Sequence, residues 1–306
     1  MTDTLHLDEF QAYLLTEDRS LVTITGYLGD VRLFAKWHEE HLGEVLTPDA
    51  LTNEAVRGYK QHLLDQAAKP KTINRRLAAL ATYAHFLEQI GYVTNARNPV
   101  QGVKAVKETV LAPKWLEKKQ RSALLRAVDK EVEIAMRRYP RLRLMYLRDA
   151  AIVKLILFTG LRVGEIIHLR LSDVVLDDRK GSVVVREGKG TKRREIPLNA
   201  KARKSLLDYL QMRPDVESNM LFLGQRNEGV QSKTIQRAVQ RYAKKAGLKN
   251  ATPHILRHSF AKALIDAGVS LEKVASLLGH SNLNTTRIYT TPSLEELNDA
   301  IEKLDG

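Results

Sequence analysis

The chain has 306 residues, 43% of them apolar, which is enough for a sizeable core and for two domains. Its 49 Lys and Arg against 36 Asp and Glu give a formal charge of +13, pointing to a polyanionic partner and away from a neutral small molecule. The lack of Cys excludes disulfides, thiol nucleophiles and Cys-based zinc sites. No apolar run approaches the about 20 residues of a membrane span and no signal-peptide pattern is present, so the expectation is a soluble, cytoplasmic, nucleoid-associated protein without membrane contact.

Residues 1–108 read as a four-helix module. Leu7, Phe10, Leu14 and Leu15 form the first apolar stripe. Ser20 opens a long helix in which Ile24, Tyr27, Val31, Phe34 and Trp37 recur at three- and four-residue steps, and Gly43 and Pro48 end it. Thr52 caps a third helix, and residues 71–92 form a fourth. At the start of the fourth lie Lys69, Lys71, Arg75 and Arg76, either a solvated face or an edge that contacts phosphates. Residues 95–114 read as a linker, because Pro99, Gly102 and Pro113 deny it a continuous helix.

Helices are predicted over 115–138 and 142–158, the second an apolar run that Gly160 ends. Arg162 emerges at the following turn, before a helix carrying Glu165, Ile166, Ile167 and Leu169; an Arg there is poorly explained as core. Residues 173–176, 182–187 and 193–197 read as three short antiparallel strands, with Lys189 and Lys192 in the second hairpin. Helices follow over 199–213 and 231–246. The second of these displays Lys233, Gln236, Arg237, Gln240 and Arg241 on a basic face suited to base edges or to phosphates.

Most of the chemistry lies in residues 252–290. Thr252 and Pro253 are a helix start, Gly268 a stop, Ser270 the next cap and Gly279 its terminator, so His254 and Arg257 share a helical face, His280 leaves a helix end and Tyr289 follows one short helix later. Arg offers planar cationic donors matched to phosphate oxygens, His moves protons near neutral pH, and Tyr supplies an oxygen nucleophile once a neighbour takes its proton. That set suits metal-free attack on a phosphodiester. A zinc site built from His254, His258 and His280 fits less well, since the Glu of an H-E-x-x-H arrangement is missing. A basic DNA-binding protein without catalysis explains the charge but not Arg162, Arg257 and Tyr289 together.

TGLRVGE, HILRHSFA and LLGHSNLNTTRIYT, in this order and at these separations, resemble the tyrosine recombinase (phage integrase) family, of the Xer-like and transposon or phage integrase type. The resemblance implies an α+β fold, mainly α with a small antiparallel sheet: an N-terminal core-binding, SAM-like domain (1–108) and a catalytic domain (109–306) with a tail helix from about residue 293, the two closing as a clamp around DNA. It assigns Arg162, Lys189, His254, Arg257, His280 and the nucleophile Tyr289 to catalysis, choosing Lys189 over Lys192, with Glu165 in support. The implied reaction cleaves and rejoins double-stranded DNA through a 3′-phosphotyrosyl link. Arg162 and Arg257 hold the nonbridging oxygens, Lys189 protonates the leaving 5′-oxygen, His254 exchanges the Tyr289 proton and His280 bonds the phosphate. No metal, ATP or other cofactor is expected. The expected partners are paired inverted half-sites of DNA and further copies of the chain, a tetramer joined through the tail helix, whose Leu294, Leu297, Ile301 and Leu304 form one stripe. A type IB topoisomerase, relaxing one duplex by the same chemistry, is the neighbouring alternative.

Overall fold

The computed structural model describes residues 5–17, 19–92, 98–108, 114–177, 179–186, 193–280, 282–290 and 301. The chain separates into two compact units, residues 1–111 and 112–306.

The first unit packs four helices, α1 (Leu7–Thr16), α2 (Leu21–Leu42), α3 (Asn53–Asp65) and α4 (Pro70–Gln89). Ser20 and Thr52 start α2 and α3 as expected, each side-chain oxygen accepting a backbone N–H at 3.2 Å. Phe10, Leu14, Val31, Phe34, Ile73 and Leu80 lie at the centre of the core. Leu15, expected in the first stripe, is 51% exposed, because consecutive helical residues point about 100° apart and Leu14 already takes the inward position. The expected linker is in part not a spanning segment: Val100, Val103 and Val106 pack on this core, and Asn53 and Asn74 donate to the carbonyls of Pro99 and Val106.

The second unit is built around α6 (Arg143–Thr159), whose residues from Leu147 to Ile156 are buried on nearly every side, as an almost continuous apolar run requires. Around it pack α5 (Lys118–Arg138), α8 (Ala200–Met212), α9 (Ser232–Lys245) and α10 (Pro253–Asp266). Three antiparallel strands, β1 (Val174–Leu176), β2 (Gly181–Val185) and β3 (Arg194–Pro197), form a meander in the order β1-β2-β3. Val183 opposes Ile196 and Val185 opposes Arg194, so the inward face of β3 carries Ile196 and, two residues before it, Arg194. The short helices α7 (Val163–His168), α11 (Leu271–Leu278) and α12 (Asn284–Arg287) complete the unit.

Candidate active site

Two left-handed glycines set the frame of the site. Gly160 ends α6 at φ +66°, and Gly279 ends α11 at φ +64°. Neither tolerates a side chain: a Cβ on Gly160 falls 2.5 Å from the Phe260 ring, and one on Gly279 falls 2.7 Å from a guanidinium nitrogen of Arg194. Between them stands α10, started by Thr252, whose hydroxyl accepts the Ile255 N–H at 3.2 Å, with Pro253 in its first turn.

The last carbonyls of a helix have no partner within it and carry its negative dipole end. In α11 three consecutive carbonyls are taken by three different arginines. Arg194 Nε donates to Leu277 O at 2.9 Å, Arg257 Nη2 to Leu278 O at 2.8 Å, and Arg162 Nη2 to Gly279 O at 3.3 Å. Arg257 Nη1 also donates to Gly160 O, tying the two glycine turns together. These carbonyls orient the guanidiniums without cancelling their charge. A carboxylate joins two of them: Glu165 accepts from the Arg162 backbone N–H (2.8 Å), from Arg162 Nη1 (3.0 Å) and from Arg194 Nη2 (2.9 Å). Burial alone would raise its pKa; the bonds from Arg194 and Arg162 outweigh that and hold it below the usual carboxylate range.

Arg257 is 4% exposed, and burial followed by the nearby Arg162 lowers its pKa to about 10, which leaves it a cation at neutral pH. His280 accepts this charge's attention directly, lying 3.0 Å from Arg257 Nη2 through Nε2 and 2.8 Å from Thr286 Oγ1 through Nδ1. Burial, then Arg257, Arg162 and Arg194, lower its pKa to about 4. The ring is therefore neutral at pH 7, with Nε2 accepting from the guanidinium and Nδ1–H donating to the threonine.

Tyr289 is 1% exposed and packs with Phe260, Val274 and Leu278. Its hydroxyl lies 2.6 Å from Nδ1 of His258, a residue one turn beyond His254, to which the sequence reading gave the nucleophile's proton. The rings of His254 and His258 meet edge to face, with centroids 4.1 Å apart. Burial raises the Tyr289 pKa, opposed by Arg257 and Arg162, so the phenol is protonated at neutral pH, and any nucleophilic use of its oxygen needs a proton acceptor.

Arg162, His254, Arg257, His258, His280 and Tyr289 all line one cleft of about 620 Å³, and Glu165 stands behind Arg162. Five of the six expected catalytic residues thus converge on one cavity; the sixth, Lys189, lies with its rival Lys192 outside the described residues, as does the tail helix but for Ile301. No group of three or more His, Asp or Glu is placed to hold a metal among the described residues. Arg194 was not singled out in the sequence, and His258 entered there only as a candidate zinc ligand. Arg194 carried a signal: an arginine two residues before Ile196 on a short strand shares that residue's inward face.

The expected DNA-contacting residues divide. Lys69 and Lys71 are exposed, as are Lys233 and Arg237 on α9. Arg75 and Arg76 instead turn onto Asp30, 2% exposed, and Arg76 also donates to Tyr59 Oη at 2.9 Å. Arg241 donates to the buried Asp149 at 2.8 Å and lies over the rings of Tyr146 and Tyr242. Arg75 nevertheless stays 48% exposed at its side chain, whereas Arg76 and Arg241 are less so, and each of the three guanidiniums is engaged by a carboxylate of its own unit.

Comparison with known proteins agrees with this geometry. The phage integrase family model matches residues 114–296, and the model of the phage integrase N-terminal SAM-like domain matches residues 7–91. The chain therefore belongs to the phage integrase family of tyrosine recombinases, DNA strand-transferase enzymes that carry out site-specific recombination. It is 32% identical to tyrosine recombinase XerA of Pyrococcus furiosus, over 97% of this chain and 93% of that protein, and 30% identical to XerC of Corynebacterium glutamicum, over 97% and 90%. Among solved structures, a post-cleavage complex of XerH with its palindromic difH substrate matches all of this chain and 86% of that one, with a TM-score of 0.74 at 23% identity. The Tn1549 transposon integrase in complex with transposon right-end DNA matches 99% of both chains, with a TM-score of 0.68 at 19% identity. These two likenesses are of fold. No described helix is long and apolar enough to cross a membrane.

Proposed function

We propose that Tyr289 attacks a scissile phosphate of double-stranded DNA, forming a 3′-phosphotyrosyl link and releasing a 5′-hydroxyl that later attacks the equivalent link on a partner duplex. The observation that carries this reading is the seating of Arg162, Arg194 and Arg257 on the carbonyl end of α11, in the unit that places the Tyr289 phenol in the same cleft. Arg162 and Arg257 hold the nonbridging oxygens and offset the charge that builds up as phosphorus becomes five-coordinate. An arriving phosphate gives Arg257 a stronger acceptor than the His280 ring, which frees Nε2 of that histidine to take a proton and bond the same phosphate. His254 lines the cleft beside them, and Glu165 keeps Arg162 in register. Lys189 protonates the departing 5′-oxygen, which is a poor leaving group without an acid. Supporting that role, the strand ends flanking its loop, Val185 and Arg194, are paired, and the Arg194 side chain reaches Glu165.

The substrate is a duplex bearing paired inverted half-sites, gripped by residues 1–108 and 109–306 as two domains. Exposed Lys69, Lys71, Lys233 and Arg237 supply sequence-independent affinity for its backbone. Four copies of the chain assemble on two duplexes, the tail helix of each docking on a neighbour. An apolar groove lined by Leu125, Leu157, Phe158, Phe260, Leu264 and Leu277 has the character that the stripe Leu294, Leu297, Ile301 and Leu304 requires. The protein acts on cytoplasmic, nucleoid DNA.

A nicked suicide duplex drawn from the protein's own genomic neighbourhood tests the central step. The expected result is a covalent protein–DNA adduct that forms in the presence of a chelator and is absent in Tyr289→Phe. An adduct that survives this substitution moves the nucleophile elsewhere.

A further inference from the structure

Resting on the assignment of Tyr289 as nucleophile, we infer that His258 is the group that positions the phenol and takes its proton, through the Nδ1···Oη contact of 2.6 Å. A phenol has one proton to give, and in this buried pair the imidazole nitrogen is the acceptor aligned to receive it; the ring then carries its own proton on Nε2. In the attack, the Tyr289 O–H bond breaks with its proton passing to Nδ1. The freed oxygen pair forms the bond to phosphorus, and the bond to the 5′-oxygen breaks with that oxygen protonated by Lys189. Rejoining runs the same steps backward, His258 returning the proton to Tyr289.

The surroundings of the ring supply a control on the timing of this transfer. Burial, followed by His254 and Arg257 on its own helix and His280 at the end of α11, lowers the His258 pKa to about 4. Without DNA the ring is a neutral acceptor that holds the hydroxyl in place and is too weak a base to strip it. The Tyr289 hydroxyl faces the same ring from beyond α12, and Arg162 and Arg257 act on that phenol. A bound phosphodiester brings negative charge to these cations, so the basicity of His258 rises when, and only when, there is a phosphorus to attack. His254, whose ring packs edge-on against His258, buttresses the acceptor in this scheme.

The test uses the full-length protein and the duplex on which the Tyr289 adduct is mapped, made with either oxygen or bridging sulfur at the scissile 5′-position. His258→Asn retains an acceptor close to Nδ1 but cannot take a proton. Its single-turnover adduct formation is expected to fall about 100-fold or more on both duplexes, the order of loss for a general base, while gel-shift affinity and melting temperature stay near those of the wild type. Installing 3,5-difluorotyrosine at position 289, a more acidic phenol, is expected to restore much of the loss. A rate within about threefold of wild type, rescue by the sulfur leaving group, or no rescue by the fluorinated phenol would each overturn the inference. Should His258→Asn not fold, the fluorinated phenol in the otherwise wild-type chain still decides: the acid limb of its cleavage profile reports the proton on His258 and must stay in place, and a limb that follows the phenol to lower pH sinks the proposal. An adduct in Tyr289→Phe overturns the nucleophile itself, whereas its absence beside a full-rate His258→Asn overturns the role of His258 alone.

Discussion

Arginines are anchored in two opposite ways in this molecule. In the N-terminal unit Arg75 and Arg76 close on Asp30, and in the catalytic unit Arg148 and Arg241 close on Asp149, so in each cluster one carboxylate fixes two guanidiniums and offsets one of their two charges. At the end of α11 Arg162, Arg194 and Arg257 are oriented chiefly by carbonyl oxygens, and one carboxylate, Glu165, bonds Arg162 and Arg194. A carbonyl aims a cation; a carboxylate also neutralises it. The difference separates arginines that hold the fold from arginines whose charge remains available to an anion.

Five substitutions probe that contrast. Arg257→Lys keeps a cation but loses the fork that spans Gly160 O and Leu278 O, so the ammonium has no fixed aim. Adduct formation is expected to drop by about 10²–10³-fold, the order lost with one transition-state donor, and DNA affinity by much less; equal losses in both would show that the charge binds but does not catalyse. Glu165→Gln removes the carboxylate that Arg162 and Arg194 share. Stability at pH 7 is expected to fall by about 2–3 kcal/mol, somewhat under the figure for a fully buried pair because Arg162 is partly exposed. The folded pKa of Glu165 is depressed, so this contribution is complete above its unfolded value of about 4.3 and is lost as pH falls through the folded value. Melting curves of the two proteins should therefore draw together below about pH 4, and a constant gap would point to packing as the cause.

Smaller effects separate fold from surface. Arg241→Ala leaves Asp149 with Arg148 alone and is expected to cost about 1–2 kcal/mol by chemical denaturation without altering the salt dependence of DNA binding. Arg237→Ala should do the reverse, reducing the slope of log K against log salt by about 1 at unchanged stability. Asp30→Asn is the mildest. Burial raises the Asp30 pKa despite the opposing Arg75 and Arg76, so loss of this charge is expected to cost under about 1 kcal/mol while releasing both arginines and steepening the salt slope. A large loss of stability with no change in slope would break the contrast.

What the amino-acid order made legible was local. Thr252 before Pro253, Gly160 and Gly279 beyond apolar runs, and Ser20 and Thr52 before helices are signals read within one turn, and each lies where it was expected. The family boxes then named Arg162, His254, Arg257, His280 and Tyr289, which line one cleft. The contacts that give these residues their surroundings span long separations: Arg194 reaches Glu165 across 29 positions, Tyr289 reaches His258 across 31, and Arg75 reaches Asp30 across 45. No periodicity encodes such pairs. Asp30 gave a faint warning, a carboxylate beside Val31 within the apolar stripe of α2, and a buried acid needs a cation from somewhere.

The end of α11 is at once the seat of the three arginines and the start of the stretch from His280 to Tyr289. In the reaction proposed above, cradle and blade are forged on one piece: a shift of this helix end carries the phosphate's resting place and the attacking oxygen along together.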